Sequence, residues 1–204
     1  MADRPWRRRL VRIAKWVSIV GAVLGVLRYV VWRPLPSFVE VPEERSRLIA
    51  DLVSYQTVAQ VTAALQAAGY TWQTEESEWS ETERSKPRLE FTKVVVENFV
   101  HLECAGKLVL EFSNDRLATA AFYPPDFQRY LQHLAQAEGF TFEFTKRSLD
   151  SPQGELYQEL FLPPHTRILV LLGYNRLRLP ARVIWREERL DWEWQLWYAT
   201  YGTD

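Results

Sequence analysis

Three histidines and a single cysteine are the residues best suited to nucleophilic or metal chemistry in this 204-residue chain. His101, His133 and His165 show neither H-x-x-x-H nor Cys/His spacing, so we predict no metal site and no bound cofactor. Cys104 follows His101 by three positions, and residues three apart on one strand point to opposite faces. We therefore predict no Cys–His dyad and assign Cys104 to a buried apolar position.

Carboxylates alternate with arginines near the C-terminus, which could supply paired acid and base groups. The residues are Glu187, Glu188, Asp191 and Glu193, interleaved with Arg182, Arg186 and Arg189. This interleaving favours cross-strand ion pairs on a solvated face. The acidic stretch 75–83 lacks the glycine and spacing of a calcium loop and is predicted to be solvated. With no nucleophile elbow, P-loop or dinucleotide motif, we predict no catalytic residues.

Aromatic residues are concentrated in the last twenty positions: Trp185, Trp192, Trp194, Trp197, Tyr198 and Tyr201. If 191–200 is a strand, Trp192, Trp194 and Tyr198 share one face, which suits a core. Trp197 and Tyr201 then lie on the more polar face. We predict that these two residues contact a protein partner, the alternative being a second covered face.

Short helices and antiparallel strands are the elements that must position these residues. Leu48, Ile49, Leu52 and Val53 lie at helical spacing and predict a short amphipathic helix at 43–53, so that 43–123 is a helix-helix-meander unit. A T-x-x-Q capping box at Thr57 and Gln60 begins a second helix, which ends at Gly69. Pro124-Pro125-Asp126 begins another, which ends at Gly139. Strand patterns occupy 70–74, 89–96, 99–103, 107–112, 117–123, 140–144, 156–162, 167–174, 181–187 and 191–200, with turns at Ala105-Gly106 and Asn114-Asp115. The sequence predicts an α+β fold: a two-layer domain of antiparallel meanders packed with short helices.

Two ten-residue stretches, 65–74 and 135–144, match at a constant offset. Glutamine, alanine, glycine and threonine recur at equivalent positions, and each glycine is followed by an aromatic residue. The match suggests two similar helix-plus-meander units, 43–123 and 124–204. The alternative is that a glycine-capped helix followed by an aromatic strand is simply common.

The hairpin sequence 106–124, GKLVLEFSNDRLATAAFYP, resembles those of small BamE-like envelope domains. Those domains also follow helices with hairpins of the form L-x-F-x-N/D-x-R/K-L. The chain departs from that family because no lipid-attachment cysteine follows the N-terminal apolar segment. We carry no function over from the resemblance.

The stretch 16–32, WVSIVGAVLGVLRYVVW, is apolar except for Arg28. It is close to the length of a membrane-spanning helix, and Arg28 lies near enough to one end for its guanidinium to reach the headgroups. Trp16, Tyr29 and Trp32 resemble interfacial aromatic belts. A cleaved signal peptide would need small residues at a cleavage site, and a surface helix would need a polar face. We predict a transmembrane signal anchor.

Six basic residues lie in the tail 1–15, before the anchor. The positive-inside rule therefore predicts a cytosolic N-terminus, a proline-rich linker at 33–42 and an extracytoplasmic domain, periplasmic if the source is bacterial. The acidic remainder of the chain argues against nucleic acid as a partner. We predict a tethered, non-catalytic binding or accessory module, either an assembly factor or an inhibitor or immunity-type protein, with the lipid bilayer and an envelope protein as partners. The alternative is an anchored enzyme whose catalytic groups converge only in the fold.

Overall fold

The computed structural model of the chain describes residues 41–79, 89–144, 146–147, 156–173 and 180–201. The chain divides into two units, Met1–Glu40 and Val41–Asp204, and all of the described residues belong to the second. The predicted basic tail and anchor, with Trp16, Arg28, Tyr29 and Trp32, therefore lie outside the described residues. No helix within the described ranges is long and apolar enough to cross a membrane.

The described residues form three helices and a single antiparallel sheet of eight strands. In chain order the elements are α1 (Val58–Ala67), β1 (Gln73–Trp79), β2 (Leu89–His101), β3 (Cys104–Ser113), β4 (Arg116–Tyr123), α2 (Phe127–Glu138), β5 (Lys146–Arg147), β6 (Leu156–Leu162), β7 (Thr166–Leu171), β8 (Arg182–Glu187) and α3 (Glu188–Tyr201). The strand order is β1-β2-β3-β4-β8-β7-β6-β5. The predicted α+β class, built on antiparallel strands, is confirmed.

Two four-stranded meanders meet at the centre of this sheet. Strands β1 to β4 form one meander and β5 to β8 the other, and their last strands pair antiparallel. The pairing runs from Thr119 opposite Arg186 to Phe122 opposite Val183. One helix precedes each meander, α1 the first and α2 the second. The helix predicted at 43–53 is wrong, because these residues form turns and a bridge between Arg47 and Val53, and the amide of Leu48 donates to the carbonyl of Leu52, opposite to the helical direction.

The helix caps form where the sequence places them. The Thr57 hydroxyl accepts a hydrogen bond from the Gln60 amide, and the Gln60 side chain accepts one from the Thr57 amide, which confirms the capping box. The side chain of Asp126 accepts from a backbone amide in the first turn of α2. Beyond the two helices, Gly69 and Gly139 have φ of 80° and 71°, a left-handed conformation that glycine adopts without strain.

One face of the sheet packs against α1 and α2 to form the main core. A row of side chains in register across five strands is buried almost completely: Val94, Leu110, Ala120, Trp185 and Ile168. Leu65 of α1 and Leu134 of α2 belong to the same apolar cluster. Both helices thus lie on one side of the sheet, as the prediction of packed layers requires.

The first hairpin differs from the prediction in its turn. The turn predicted at Ala105-Gly106 is wrong, because the chain reverses at Leu102 and Glu103, whose φ values of 50° and 61° are both positive. Gly106 lies inside β3, where an added Cβ would stand 2.7 Å from the carbonyl oxygen of Tyr123. The glycine is required by close strand packing and not by a turn.

Two other predicted strands also differ from the strands of the structure. The stretches 89–96 and 99–103 belong to one strand, β2, with an irregularity between Val96 and Phe99. The predicted strand at 140–144 is wrong, since these residues are not in a strand. The predicted turn at Asn114 and Asp115 is confirmed.

Candidate functional site

The C-terminal stretch predicted to be a strand is the helix α3, which follows β8 without a break. Its buried residues are Leu190, Glu193 and Trp197, spaced by three and four positions as one face of a helix requires. The strand prediction was wrong because alternating aromatic residues satisfied a period of two while the buried positions follow the helical period.

Because this stretch is a helix and not a strand, the aromatic side chains that reach the surface are not the ones that the strand pattern predicts. Trp197, predicted to be an exposed contact residue, is instead 2% exposed, whereas Trp192, Trp194 and Tyr198 are 47%, 38% and 43% exposed. Tyr201 is the last residue of α3, and its side chain lies outside the described part of the chain, so the contact predicted for it stays a prediction. The aromatic surface of α3 is thus carried by residues that the strand prediction assigned to the core.

A buried ion pair joins α3 to the β3–β4 hairpin. Nη2 of Arg116, at the start of β4, donates to Oε2 of Glu193 at 2.9 Å. Burial raises the pKa of Glu193, and the Arg116 guanidinium opposes that rise. Removing either partner would leave a charge in the protein interior, so this pair fixes where α3 docks.

Two guanidinium groups lie within cation–π distance of one tyrosine beneath the start of α3. The guanidinium carbons of Arg116 and Arg189 are 5.8 Å and 5.5 Å from the ring centre of Tyr55. Arg189 also donates to Oε1 of Glu187 at 2.6 Å and to the carbonyl oxygen of Glu44 at 3.0 Å. Burial, with a contribution from the Glu187 carboxylate, raises the pKa of Tyr55 to about 12. These contacts hold the segment before α1 against the first turn of α3.

On the second face of the sheet, Asp191 is the acceptor that anchors α3. It accepts from Nη2 of Arg167 at 2.6 Å, from Nη1 of Arg186 at 3.1 Å and from Nε2 of Gln195 at 3.1 Å. Arg167 and Arg186 are register partners on β7 and β8, so their guanidiniums project from the same face. Two cations therefore share the charge of one carboxylate.

The ion pairs predicted among the C-terminal carboxylates and arginines exist, but their setting differs from the prediction. Glu187 and Glu193 are buried, 0% and 8% exposed, and do not lie on a solvated face. Glu193 pairs with an arginine 77 residues away in sequence, a contact that local spacing does not reveal.

A groove of about 640 Å³ lies beside α3, bounded by β1, β2, β3, β4 and β8. Its large apolar lining residues are Phe91, Phe112, Leu190 and Trp194. Its charged lining residues are Glu75, Glu76, Lys93, Glu111, Arg186 and Asp191. We call this depression the α3 groove. A mixed lining of aromatic rings and separated charges is typical of a protein or peptide contact surface.

Trp194 connects the groove to the exposed surface of α3. Its ring stacks on that of Tyr198, with centroids 5.8 Å apart and an interplanar angle of 23°. The two residues are four positions apart, which places them on one side of the helix, whereas Trp192 lies well round the helix from both. Trp194 and Tyr198 thus form an aromatic ridge along the groove.

His101 lies on the face of the sheet that packs against α2. Its Nδ1 is 2.8 Å from the hydroxyl of Tyr130, and its ring meets the edges or faces of Phe122 and Trp185 at centroid distances of 6.1 and 5.8 Å. Burial lowers the pKa of His101 to about 4, and the positive charge of Arg47 acts in the same direction. His101 therefore stays neutral at physiological pH.

Cys104 and His101 are directly opposite each other across the β2–β3 turn. The reasoning that placed them on opposite faces was wrong, because it assumed one strand and the chain reverses between them. Cys104 is 7% exposed and belongs to the apolar core, as predicted. His133 donates from Nδ1 to the carbonyl oxygen of Leu102 at 2.7 Å, and this hydrogen bond stabilises the same β2–β3 turn.

The groove and the histidines are separate features of the domain. In the described ranges, no group of three or more His, Cys, Asp and Glu side chains is placed to hold a metal ion. Of the acidic stretch 75–83, the described part belongs to β1, and the remainder lies outside the described residues. Sequence reasoning missed Trp194, Glu75 and Glu76 as site residues, and the one available signal was the high aromatic content near the C-terminus.

The sequence was compared with known protein families and with curated proteins. No family model matches the chain, and no curated protein matches it.

Proposed function

We propose that the chain is a membrane-tethered binding module whose contact surface is the α3 groove. In this proposal 16–32 spans the bilayer, the N-terminus is cytosolic, and an extracytoplasmic domain meets a membrane or envelope protein as an assembly factor or an inhibitor. The observation that carries it is the pairing of exposed Trp194 with a groove of about 640 Å³ lined by separated charges.

The composition of the groove supports binding over catalysis. Partially exposed tryptophans beside a polar rim are the side chains that dominate binding energy at protein interfaces. The described lining of the groove includes carboxylates and cations but neither histidine nor cysteine. His101 and Cys104, the residues an enzyme would use, lie against the core instead.

The rigid attachment of α3 also supports a binding role. The helix is held by the Arg116–Glu193 pair on one side and by Asp191 with two arginines on the other. A contact surface held in place before binding loses less conformational entropy when a partner arrives. The anchor would add to this by confining the domain near membrane partners, which raises their effective concentration.

Site-specific photocrosslinking in native membranes tests the binding surface. A photoreactive phenylalanine analogue replaces Trp194 in one variant and Phe161 in another. Phe161 is a suitable control because it is also a large exposed side chain, at 61%, and lies on β6 outside the groove lining. We expect a discrete protein adduct from position 194 and none from position 161. Equal labelling at both positions, or none at 194, would overturn the proposed surface.

A reporter at the C-terminus tests the tether. Fused to the full chain, an enzyme that is active only outside the cytosol should be active, and a version active only in the cytosol should be silent. The opposite pattern contradicts the proposed topology.

We also propose that 43–123 and 124–204 are two copies of one helix-plus-meander unit. The equivalent amides Tyr70 and Phe140 donate to the equivalent carbonyls of Leu65 and Ala135 at 2.9 Å and 3.1 Å. Each helix leads into a meander, and the last strands of the two meanders pair. Only the second unit carries α3 after its last strand, since β4 leads through prolines directly into α2. The helix that borders the proposed contact surface is thus the element in which the two units differ.

A further inference from the structure

We propose that the α3 groove binds a basic peptide segment and seats an arginine or lysine side chain on Trp194, among the carboxylates of β1 and β3. This inference rests on the proposed binding function and adds the chemistry of the partner.

The charges of the groove do not cancel. Asp191 and Arg186 neutralise each other through their 3.1 Å contact, and Arg167, which also bonds that carboxylate, is paired with Glu159 at 3.4 Å. Lys93 then remains as the single lining cation between its register partners Glu75 and Glu111 among the described residues. Glu76 lines the groove from the next position of β1, where the side chain alternates to the other face.

Lys93 does not compensate the remaining carboxylates. Its Nζ is 3.9 Å from Oε1 of Glu111, a loose contact between exposed side chains. Glu75 is its register neighbour on β1, and neither Glu75 nor Glu76 makes an ion pair within the described ranges. The groove therefore has a negative potential that attracts a cationic partner and repels an anionic one.

Trp194 gives that cation a specific seat. Tryptophan is the aromatic side chain with the strongest attraction for cations over its ring, and arginine is the usual partner. A guanidinium on the ring could also donate to nearby carboxylates, and such charge-assisted hydrogen bonds are stronger than neutral ones. A neutral partner would instead cover the carboxylates and leave them unpaired, at a cost in affinity.

The shape of the site favours a peptide. The groove lies beside β1, which pairs only with β2 and forms one edge of the sheet in the described residues. An extended segment can run along such an edge while its side chains enter the adjoining depression. The volume of about 640 Å³ accommodates more than a single side chain.

Fluorescence anisotropy tests the inference on the full chain in nanodiscs of neutral phosphatidylcholine. The probes are dye-labelled short oligo-arginine and oligo-glutamate peptides. We expect saturable, salt-sensitive binding of oligo-arginine and no binding of oligo-glutamate. Trp194→Ala should weaken oligo-arginine binding about three- to fivefold, and Trp194→Phe should have a smaller effect.

Matched variants separate the groove from general electrostatics. Glu75→Gln with Glu111→Gln, the two carboxylates in register with Lys93, should weaken oligo-arginine binding about three- to tenfold and reduce its salt dependence. Asp51→Asn with Glu143→Gln removes the same charge from exposed positions that are not part of the groove lining and should leave the affinity unchanged. Circular dichroism of each variant checks that the fold is kept.

Equal losses in the two double variants would overturn the inference, because binding would then follow net charge alone. If position 194 still crosslinks a partner in membranes while oligo-arginine does not bind, the basic-peptide inference fails and the binding module stands. If position 194 crosslinks nothing, the proposed function fails with it.

Discussion

Acid should destabilise the domain through His101. The imidazole lies against Phe122 and Trp185, and its Nδ1 is 2.8 Å from the Tyr130 hydroxyl. Burial raises the pKa of Tyr130, so this hydroxyl stays protonated and shares one hydrogen bond with Nδ1 of the neutral imidazole. Protonating the imidazole would fix Nδ1 as a donor and place a positive charge among these buried aromatic rings. Burial and the charge of Arg47 both oppose the added charge.

The sign and size of the effect follow from proton linkage. The pKa of His101 is lowered from 6.5 to about 4 in the folded chain, so between these values the unfolded chain binds one more proton than the folded one. The stability contributed by neutral His101 is complete above pH 6.5 and is lost as the pH falls towards 4. A difference of one bound proton lowers the free energy of unfolding by ~1.4 kcal/mol per pH unit. Because the ring is partly exposed and solvent reduces the effect, we expect a total loss of ~2–3 kcal/mol between pH 6.5 and about 4.

Urea unfolding of the full chain, followed by tryptophan fluorescence at about pH 7, 6 and 5, measures this loss. The test compares wild type with His101→Phe, which keeps an aromatic ring but cannot titrate. The variant should be less stable at neutral pH, because Tyr130 loses its hydrogen-bond partner, and the difference in stability from wild type should narrow as the pH falls. His133→Gln is the control, because His133 bonds only a backbone carbonyl in the β2–β3 turn, and this variant should lose stability with acid as wild type does. If His101→Phe loses stability with acid as steeply as wild type, His101 is not the titrating group.

Two further predictions concern packing and the attachment of α3. Gly106→Ala should cost about 1–3 kcal/mol in urea unfolding, because its Cβ would meet the Tyr123 carbonyl at 2.7 Å. Gly139→Ala meets no atom within 4 Å and should cost only the ~1 kcal/mol of a left-handed residue, so equal costs would contradict the packing reason. Arg116→Met and Glu193→Gln should each destabilise by ~2–4 kcal/mol, and the double variant by clearly less than their sum. Additive losses would show that the two side chains do not depend on each other.

Features set by neighbouring residues could be read from the sequence. The capping box at Thr57, the glycines that follow α1 and α2, and the Asn114-Asp115 turn each depend on a few adjacent side chains and backbone angles. Strands from β2 to β4 were recognisable because their alternation continues across short turns. Together these local signals were enough for the α+β class and for most of the meander.

Features set by distant partners could not be read. The stretch 191–200 has aromatic residues at alternate positions, a pattern that β-strands favour. Its helical form becomes evident only when Glu193 is seen to bind Arg116, 77 residues earlier. The turn at Leu102 and Glu103 lacks glycine and asparagine, so nothing local indicated that His101 and Cys104 face each other. The candidate site could not be predicted from the sequence for the same reason, since its lining residues come from six separate elements.

If the two helix-plus-meander units are copies, as proposed, the central seam of the sheet has a consequence for the ancestry of the chain. Strands β4 and β8 are the last strands of their units and pair antiparallel, in four residue pairs. A single ancestral unit could therefore have paired its last strand with that of a second copy across a twofold axis and formed the same continuous sheet. Fusion of two such genes would convert a homodimer into a pseudo-symmetric monomer. One half could then acquire α3 without its twin, so that a surface once present twice became one asymmetric site.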